Sequence, residues 1–313
     1  MSLKNWLRIS LSIAFLIFLS IGCKKDKNNN ADNKQVDTTI SQPAINEEAI
    51  NEIINSFPQP VEMAALIKDL NVPFSKKYLL DPKKTENYDT NKKKALALGI
   101  LSADLGYLNI YEKSTLIVEY LSAIKRLADA LRIGQFFDFH ALKRMATNNS
   151  DLDSLMFVTL NSFTDMHQHL TETGRSNLSL LMVTGVWIEG LYLLCEVAED
   201  TQHKTNDPQL QVNYEKLKDK IGEQKVLFDI LYKVIILYKD DEYFAKVIKN
   251  LDQLKDIYSN VTITIKKGEP ETKIVDSQLV IIQNEESVVN ITDDQVKAII
   301  STTKKIRNNL INL

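Results

Sequence analysis

Lys92 to Tyr111 reads KKKALALGILSADLGYLNIY, and Asn177 to Glu199 reads NLSLLMVTGVWIEGLYLLCEVAE. Each segment carries apolar residues at helical spacing with a single acid, Asp104 or Glu189, in its middle. Helices this apolar belong in a core. Gly99, Gly106, Gly185 and Gly190 lie in the same two segments. Glycine inside a helix is about 1 kcal/mol less favourable than alanine, and close helix packing is the plainest reason for four of them.

Working outward, apolar spacing of three and four residues runs almost without interruption from Asn46 to Tyr258. A short helix over Glu47 to Asn55 stops at Phe57-Pro58-Gln59-Pro60, and Pro60 opens a second through Leu70. Val72 to Asn91, with Pro73 and Pro82, reads as a polar connector. After Lys92–Tyr111, Ser114 is expected to cap a helix through Ile133 that stops at Gly134. Further helices are expected over Phe136–Ala146, from Ser150 to Thr171 with a break at Gly174, and over Asn177–Glu199 behind a Ser176 cap. Asp207-Pro208 starts another that ends near Gly222, and Gln224–Tyr238 and Asp240–Ser259 follow. The fold class is therefore mainly α, an antiparallel bundle of about eight core helices.

The helix order suggests an internal duplication, with repeats at 92–174 and 176–260. A shift of 85 residues places Asp104-x-x-Tyr107-Leu108 on Glu189-x-x-Tyr192-Leu193, and a shift of 88 places Ile133-Gly134 on Ile221-Gly222. A shift of 89 sets Asp151 on Asp240. Two four-helix units around a pseudo-two-fold axis would follow.

Beyond residue 260 the pattern changes. Val261 to Ile265 alternates, Lys267-Gly268-Glu269-Pro270 reads as a turn, and Thr272–Val275 and Gln278–Gln283 continue the β signal. A small hairpin or three-stranded flap is expected. Thr292, with Gln295 three residues later, is a capping-box pattern opening a last helix through Leu310. Residues 261–313 are expected to pack on the helical domain of residues 45–260.

At the other end, Lys4 and Arg8 precede a charge-free stretch of 13 residues, Ile9 to Ile21. A helix across a bilayer needs roughly 20 apolar residues, so residues 1–22 read as an export signal rather than an anchor. Residues 23–44 are rich in Asn, Asp and Lys and too poor in apolar residues to form a core. As a coil, such a tether spans roughly 25 Å end to end.

Ser20-Ile21-Gly22-Cys23 resembles the lipobox of bacterial lipoproteins, departing from it only in having Ser20 where leucine is more usual. The resemblance implies diacylglycerol on the Cys23 thiol, cleavage before Cys23 and acylation of the new amine. Two or more acyl chains at about 0.8 kcal/mol per buried methylene anchor a protein stably. Lys24-Lys25-Asp26-Lys27 resembles the surface-export signal of Bacteroidota lipoproteins, and Asp37-Thr38-Thr39 their short O-glycosylation acceptor. The first resemblance implies the outer membrane with display at the cell surface, the alternative being a plain solvated charged tether.

Losing Lys4 and Arg8 with the signal lowers the Lys+Arg count from 38 to 36 against 41 acids, a net charge of −5. That balance offers no footprint for nucleic acid. Of 2 cysteines, Cys23 is assigned to lipid, so Cys195 has no intramolecular disulfide partner and reads as a small buried hydrophobe.

Asp104 and Glu189, with Tyr107, Trp187 and Tyr192 beside them, are the candidate site. A carboxylate buried in such a helix must find donors. One reading has each acid bonded to a tyrosine or a helix terminus, locking the packing. The other has both converge on a cleft between the repeats and bind a cation, amine or sugar. His167 and His169 point about 200° apart on a helix and cannot share a metal. Asp165 with His169, and Glu199 with His203, give at most two ligands each. The paired Glu-x-x-His motifs of a di-iron bundle, His-Glu-x-x-His and zinc spacing of cysteines, the Gly-x-Ser-x-Gly elbow and the phosphate-cradling glycine loop do not occur. No metal, cofactor or enzymatic activity is therefore expected. Phe136, Phe137, Phe139, Tyr232, Tyr238, Tyr243 and Phe244 suit a core, or a glycan or peptide groove.

In Ala103-Asp104-Leu105-Gly106-Tyr107 and Gly185-Val186-Trp187-Ile188-Glu189, the span from Pro60 to Val197 resembles a group of helical lipoproteins of the Bacteroidota envelope. That resemblance implies fold and address, and no activity is assigned to the group. The expected function is a lipid-tethered, non-enzymatic scaffold for an envelope protein or glycan. A small-ligand receptor or enzyme using Asp104 and Glu189 is the alternative. Replacing Cys23 with Ala should move the protein from the membrane fraction to the soluble fraction, with the circular dichroism melt of the domain unchanged.

Overall fold

Helix α1 (Asn91–Ile110) and helix α5 (Ser176–Gln202) sit at the centre of the bundle because their middle turns are apolar on every side, with polar residues only scattered among them. Every residue from Ala95 to Asn109 and from Leu178 to Leu191 is buried. The computed structural model describes residues 67–70, 72–147, 152–202, 208–267, 271–275, 278–282 and 285–313, all within the unit Ile45–Leu313. The expected signal, Cys23, the tether, the first helix and most of the second lie outside the described residues. Helix α5 is long and apolar enough to cross a membrane, yet 94% of its most apolar window is buried inside the domain, so it serves as a core helix.

Around this pair stand α2 (Ser114–Ala130), α3 (Phe139–Thr147), α4 (Leu152–Glu172), α6 (Pro208–Ile235), α7 (Glu242–Tyr258) and α8 (Asp293–Ile311). Helix α1 packs on α5, α2 and α4, while α5 also packs on α4, α6 and α8. The mainly α bundle with a small C-terminal β element and a final helix is the expected fold class. The capping box forms as read: Thr292 and Gln295 bond each other's backbone N–H groups at the start of α8. The seven aromatics expected in the core or a groove join the core, with Phe137 and Phe244 buried and the others packed against it.

The central contact depends on two glycines. A Cβ on Gly99 would collide with the Met182 carbonyl and come within 2.9 Å of the Val186 nitrogen. A Cβ on Gly185 would collide with the Leu96 carbonyl and come within 3.0 Å of the Ile100 nitrogen. Each pair of neighbours maps onto the other by the same offset in sequence, so the crossing has local two-fold symmetry. Helix α1 ends on Glu112 and α2 on Arg132, both at φ 57, and α4 on Gly174 at φ 70. At each end an N–H reaches back to a carbonyl of the last turn, from Lys113 to Leu108, Ile133 to Ala128 and Arg175 to Leu170. This closure satisfies carbonyls that would otherwise lack donors.

Several boundaries differ from the sequence expectation. Gly222 does not end a helix, because α6 runs unbroken from Pro208 to Ile235. Gly222 is instead where strand β4 (Glu285–Asn290) approaches, and a Cβ there would meet Val289. The proposed match of Gly134 to Gly222 as helix stops is thereby removed. Gly134 is not a stop either: α2 closes at Arg132, and Gly134 begins a short 3-10 turn to Phe136 that delays α3 until Phe139. Ser114 and Ser176 are first helical residues rather than caps.

The β element pairs in nested order. Strand β1 (Thr262–Lys267) runs antiparallel to β4, from Thr262↔Asn290 to Lys267↔Glu285. Between them in sequence, β2 (Glu271–Val275) pairs with β3 (Gln278–Ile282). The turn read at Lys267-Gly268-Glu269-Pro270 lies, from Gly268 on, outside the described residues, and the strands on either side of it, β1 and β2, pair with β4 and β3 rather than with each other. The base of the ribbon rests on α6, where Ser287 bonds Glu223 at 3.3 Å.

Replacing Gly99 with Ala should lower stability by about 1–3 kcal/mol through overpacking, despite the better helix propensity of alanine. Urea denaturation midpoints measure this, and Gly222→Ala, which meets only a side chain, should cost less.

Candidate functional site

Two acids placed near the middle of tightly crossed helices cannot both keep their water. Asp104 and Glu189 are each 0% exposed. Asp104 accepts the Leu80 N–H at Oδ2, 3.0 Å away, while no N–H or O–H donor reaches its Oδ1 among the described residues. Glu189 is gripped by α8: Arg307 donates from Nε to Oε2 at 2.9 Å and from Nη2 to Oε1 at 2.6 Å. The guanidinium also lies over the Tyr192 ring, 4.4 Å from its centre.

The two carboxyls are neighbours, close enough to hydrogen-bond. Burial first, and the Glu189 charge second, push the Asp104 carboxyl well above its ordinary range, against the opposing pull of Arg307 and the Leu80 N–H. One cation faces two acids, so the neutral arrangement has Asp104 protonated and the charge on Glu189 held by Arg307. A proton on Asp104 would give its Oδ1, which accepts from no donor among the described residues, a hydrogen to share with a neighbouring acceptor.

The sequence candidates separate into two groups. Asp104, Glu189 and Tyr192 gather around Arg307. Tyr107 lies beside Asp104 but turns its hydroxyl to the connector, accepting the Ser75 N–H at 3.0 Å. Burial chiefly pushes that phenol up to about 12. Trp187 is 2% exposed, with its ring 5.5 Å from Phe228 on the α6 side. The acids therefore converge, as the second sequence reading required, but inside a closed core, as the first required.

The same network pins the connector across the bundle. Leu80 gives its N–H to Asp104 and its carbonyl to the Tyr120 hydroxyl at 2.7 Å. Tyr78 donates to Asp200, Arg126 to Thr85 at 3.0 Å, and Tyr88 to the Ile311 carbonyl at 2.8 Å. Helix α8 adds Lys304, which pairs with Glu196 at 2.8 Å and Glu199 at 2.6 Å. Sequence reasoning missed Arg307. Its signal was an arginine on the apolar stripe Ile299, Ile300, Thr303, Ile306 and Leu310, a face that is buried throughout.

Other candidates fall to packing roles. His167 hydrogen-bonds Ser179 in the interior, and burial lowers its imidazole to about 4. His169 lies 4.8 Å from the Phe136 ring. Cys195 is buried and its thiol pushed up to about 12. Among the described residues no group of three or more His, Cys, Asp or Glu is placed to hold a metal. The chain matches no protein-family model, no curated protein sequence and no solved structure.

Because the Asp104 carboxyl is raised on folding, its stabilising contribution is complete below the ordinary range near pH 4 and is lost as pH rises toward the folded value. Asp104→Asn supplies an amide N–H toward Glu189 and keeps an acceptor for Leu80. Urea midpoints measured across pH should show this variant at least as stable as the parent above pH 7, with a flatter pH dependence. Arg307→Met, which strands a buried charge, should lose about 3–5 kcal/mol.

Proposed function

We propose that this is a lipid-anchored protein of the bacterial outer membrane whose helical domain is a non-enzymatic scaffold for another envelope component, a protein or a glycan. The single observation carrying the scaffold reading is the closure of Asp104, Glu189 and Arg307 upon one another. The strongest chemical candidates in the sequence hold proton and charge balance within the core, with both acids 0% exposed. Such a network stiffens a bundle. A small molecule reaching the pair would have to part α1 from α5, the contact on which the core is built, and no observation favours that route.

The address rests on Ser20-Ile21-Gly22-Cys23 and the charged residues after it. A tether of roughly 25 Å would let a rigid domain meet partners in the plane of the membrane and just beyond it. The duplication read from the sequence stays a proposal, since the symmetric crossing relates Gly99 to Gly185, one residue out of step with the alignment of Asp104 on Glu189.

A tagged full-length chain, extracted in mild detergent, should co-purify a stoichiometric envelope component, and the soluble Cys23→Ala form should still recover it when added back to envelopes. Recovery of the chain alone in both formats would count against the scaffold reading. A pull-down that succeeds equally with a heat-denatured sample of the chain would show that the folded domain is not what binds.

A further inference from the structure

Strand β3 reads Gln278-Leu279-Val280-Ile281-Ile282, and no charged residue occurs from Ser277 to Asn284. Its neighbour β2 reads Glu271-Thr272-Lys273-Ile274-Val275 and carries an acid and a base. The two run antiparallel, with Lys273 opposite Val280 and Ile274 opposite Leu279. Aliphatic and β-branched residues in such a run suit a pleated surface that is covered.

Cover is what this ladder lacks among the described residues. Its sheet has two strands, so one edge of β3 faces β2 and the other has no strand beside it. Strand β4 rests on α6 at Gly222, whereas β2 and β3 make their extensive contacts with each other. A two-stranded ladder with no helix against it is marginal in water, and three or more strands make it stable. The row of backbone N–H and C=O groups on a free edge is a template for the strand that is missing.

Charge decides which edge receives that strand and where it comes from. Charged residues blunt an edge, and β2 has Glu271 and Lys273 where β3 has none. Full antiparallel overlap of β2 with a second β2 would set Lys273 against Lys273, like charges directly opposite. The same overlap of β3 sets Val280 against Val280, Leu279 against Ile281 and Gln278 against Ile282, with no charge among the pairs. Laying β3 on the β2 edge of another copy would set Glu271 and Lys273 among apolar residues. It would also leave a free edge at each end, and the array would keep growing. Pairing β3 with β3 uses both uncharged edges and leaves the charged β2 strands outermost, so it closes at two copies.

We propose that the chain forms a two-fold dimer through β3, giving one four-stranded sheet with the two β3 strands at its centre. The dimer is read from the strands alone and stands whether or not the domain also carries another envelope component.

Sedimentation equilibrium of the soluble Cys23→Ala chain over roughly 10–500 µM tests it. That chain should show a concentration-dependent equilibrium between monomer and dimer. Val280→Glu places like charges across the two-fold axis and should abolish the dimer, and Val280→Lys should do the same. An equimolar mixture of the two variants should recover it, since opposite charges then face each other, a result that misfolding could not produce. A Cys23→Ala chain that stays monomeric at every concentration, variants that dimerise as well as it does, or a mixture that stays monomeric would each overturn the proposal.

Discussion

The close approach of α1 and α5 at Gly99 and Gly185 is the constraint on which the rest of the molecule turns. Backbones that touch leave no layer of water between them. Asp104 lies five residues beyond one glycine and Glu189 four beyond the other, roughly 6–8 Å along each helix at 1.5 Å per residue. The same crossing that excludes solvent therefore delivers two carboxyls to one dry place. Coulomb repulsion in such a place is far stronger than in water, so one acid must take a proton and the other must find a cation. Arg307 is that cation, and it fixes where α8 can sit. Substituting the glycines would disturb the acid network before it disturbed anything at the surface.

A second consequence concerns the stretch between Val72 and Thr90. It is irregular, with 3-10 turns at Lys76–Tyr78 and Pro82–Asn87, and irregular backbone needs partners when it lies against a core. Backbone partners are supplied by Asp104, Tyr107, Tyr111, Tyr120 and Arg126, while Asp200 and Arg126 hold the Tyr78 and Thr85 hydroxyls. The connector is thus part of the packed structure, with Tyr78, Leu80, Pro82 and Thr85 buried.

Much of this was legible in the residues. Periodicity placed the helices, and mid-helix glycines announced a close crossing. The acids in apolar helices announced a buried polar network. What was not legible involves choices that only the third dimension makes. A glycine that stops a helix and one that admits a neighbour look alike in sequence, and Gly174 and Gly222 differ only in that the first has φ 70 and the second a strand against it. Likewise, Glu189 and Arg307 stand 118 residues apart, and no local pattern says which cation will arrive. The nested strand pairing is of the same kind. Alternating apolar residues mark the strands, and register alone decides which of them meet.

The separation of Glu189 from Arg307 also orders events in time. A chain that emerges vectorially presents α1 through α5 first, and at that stage the acid pair has no counter-ion except what solvent provides. Helices α1 and α5 then have reason to stay apart, because closing them would strand a charge in a medium that cannot screen it. The arrival of α8 removes the obstacle. Arg307 thus acts as a keystone set after the arch is standing.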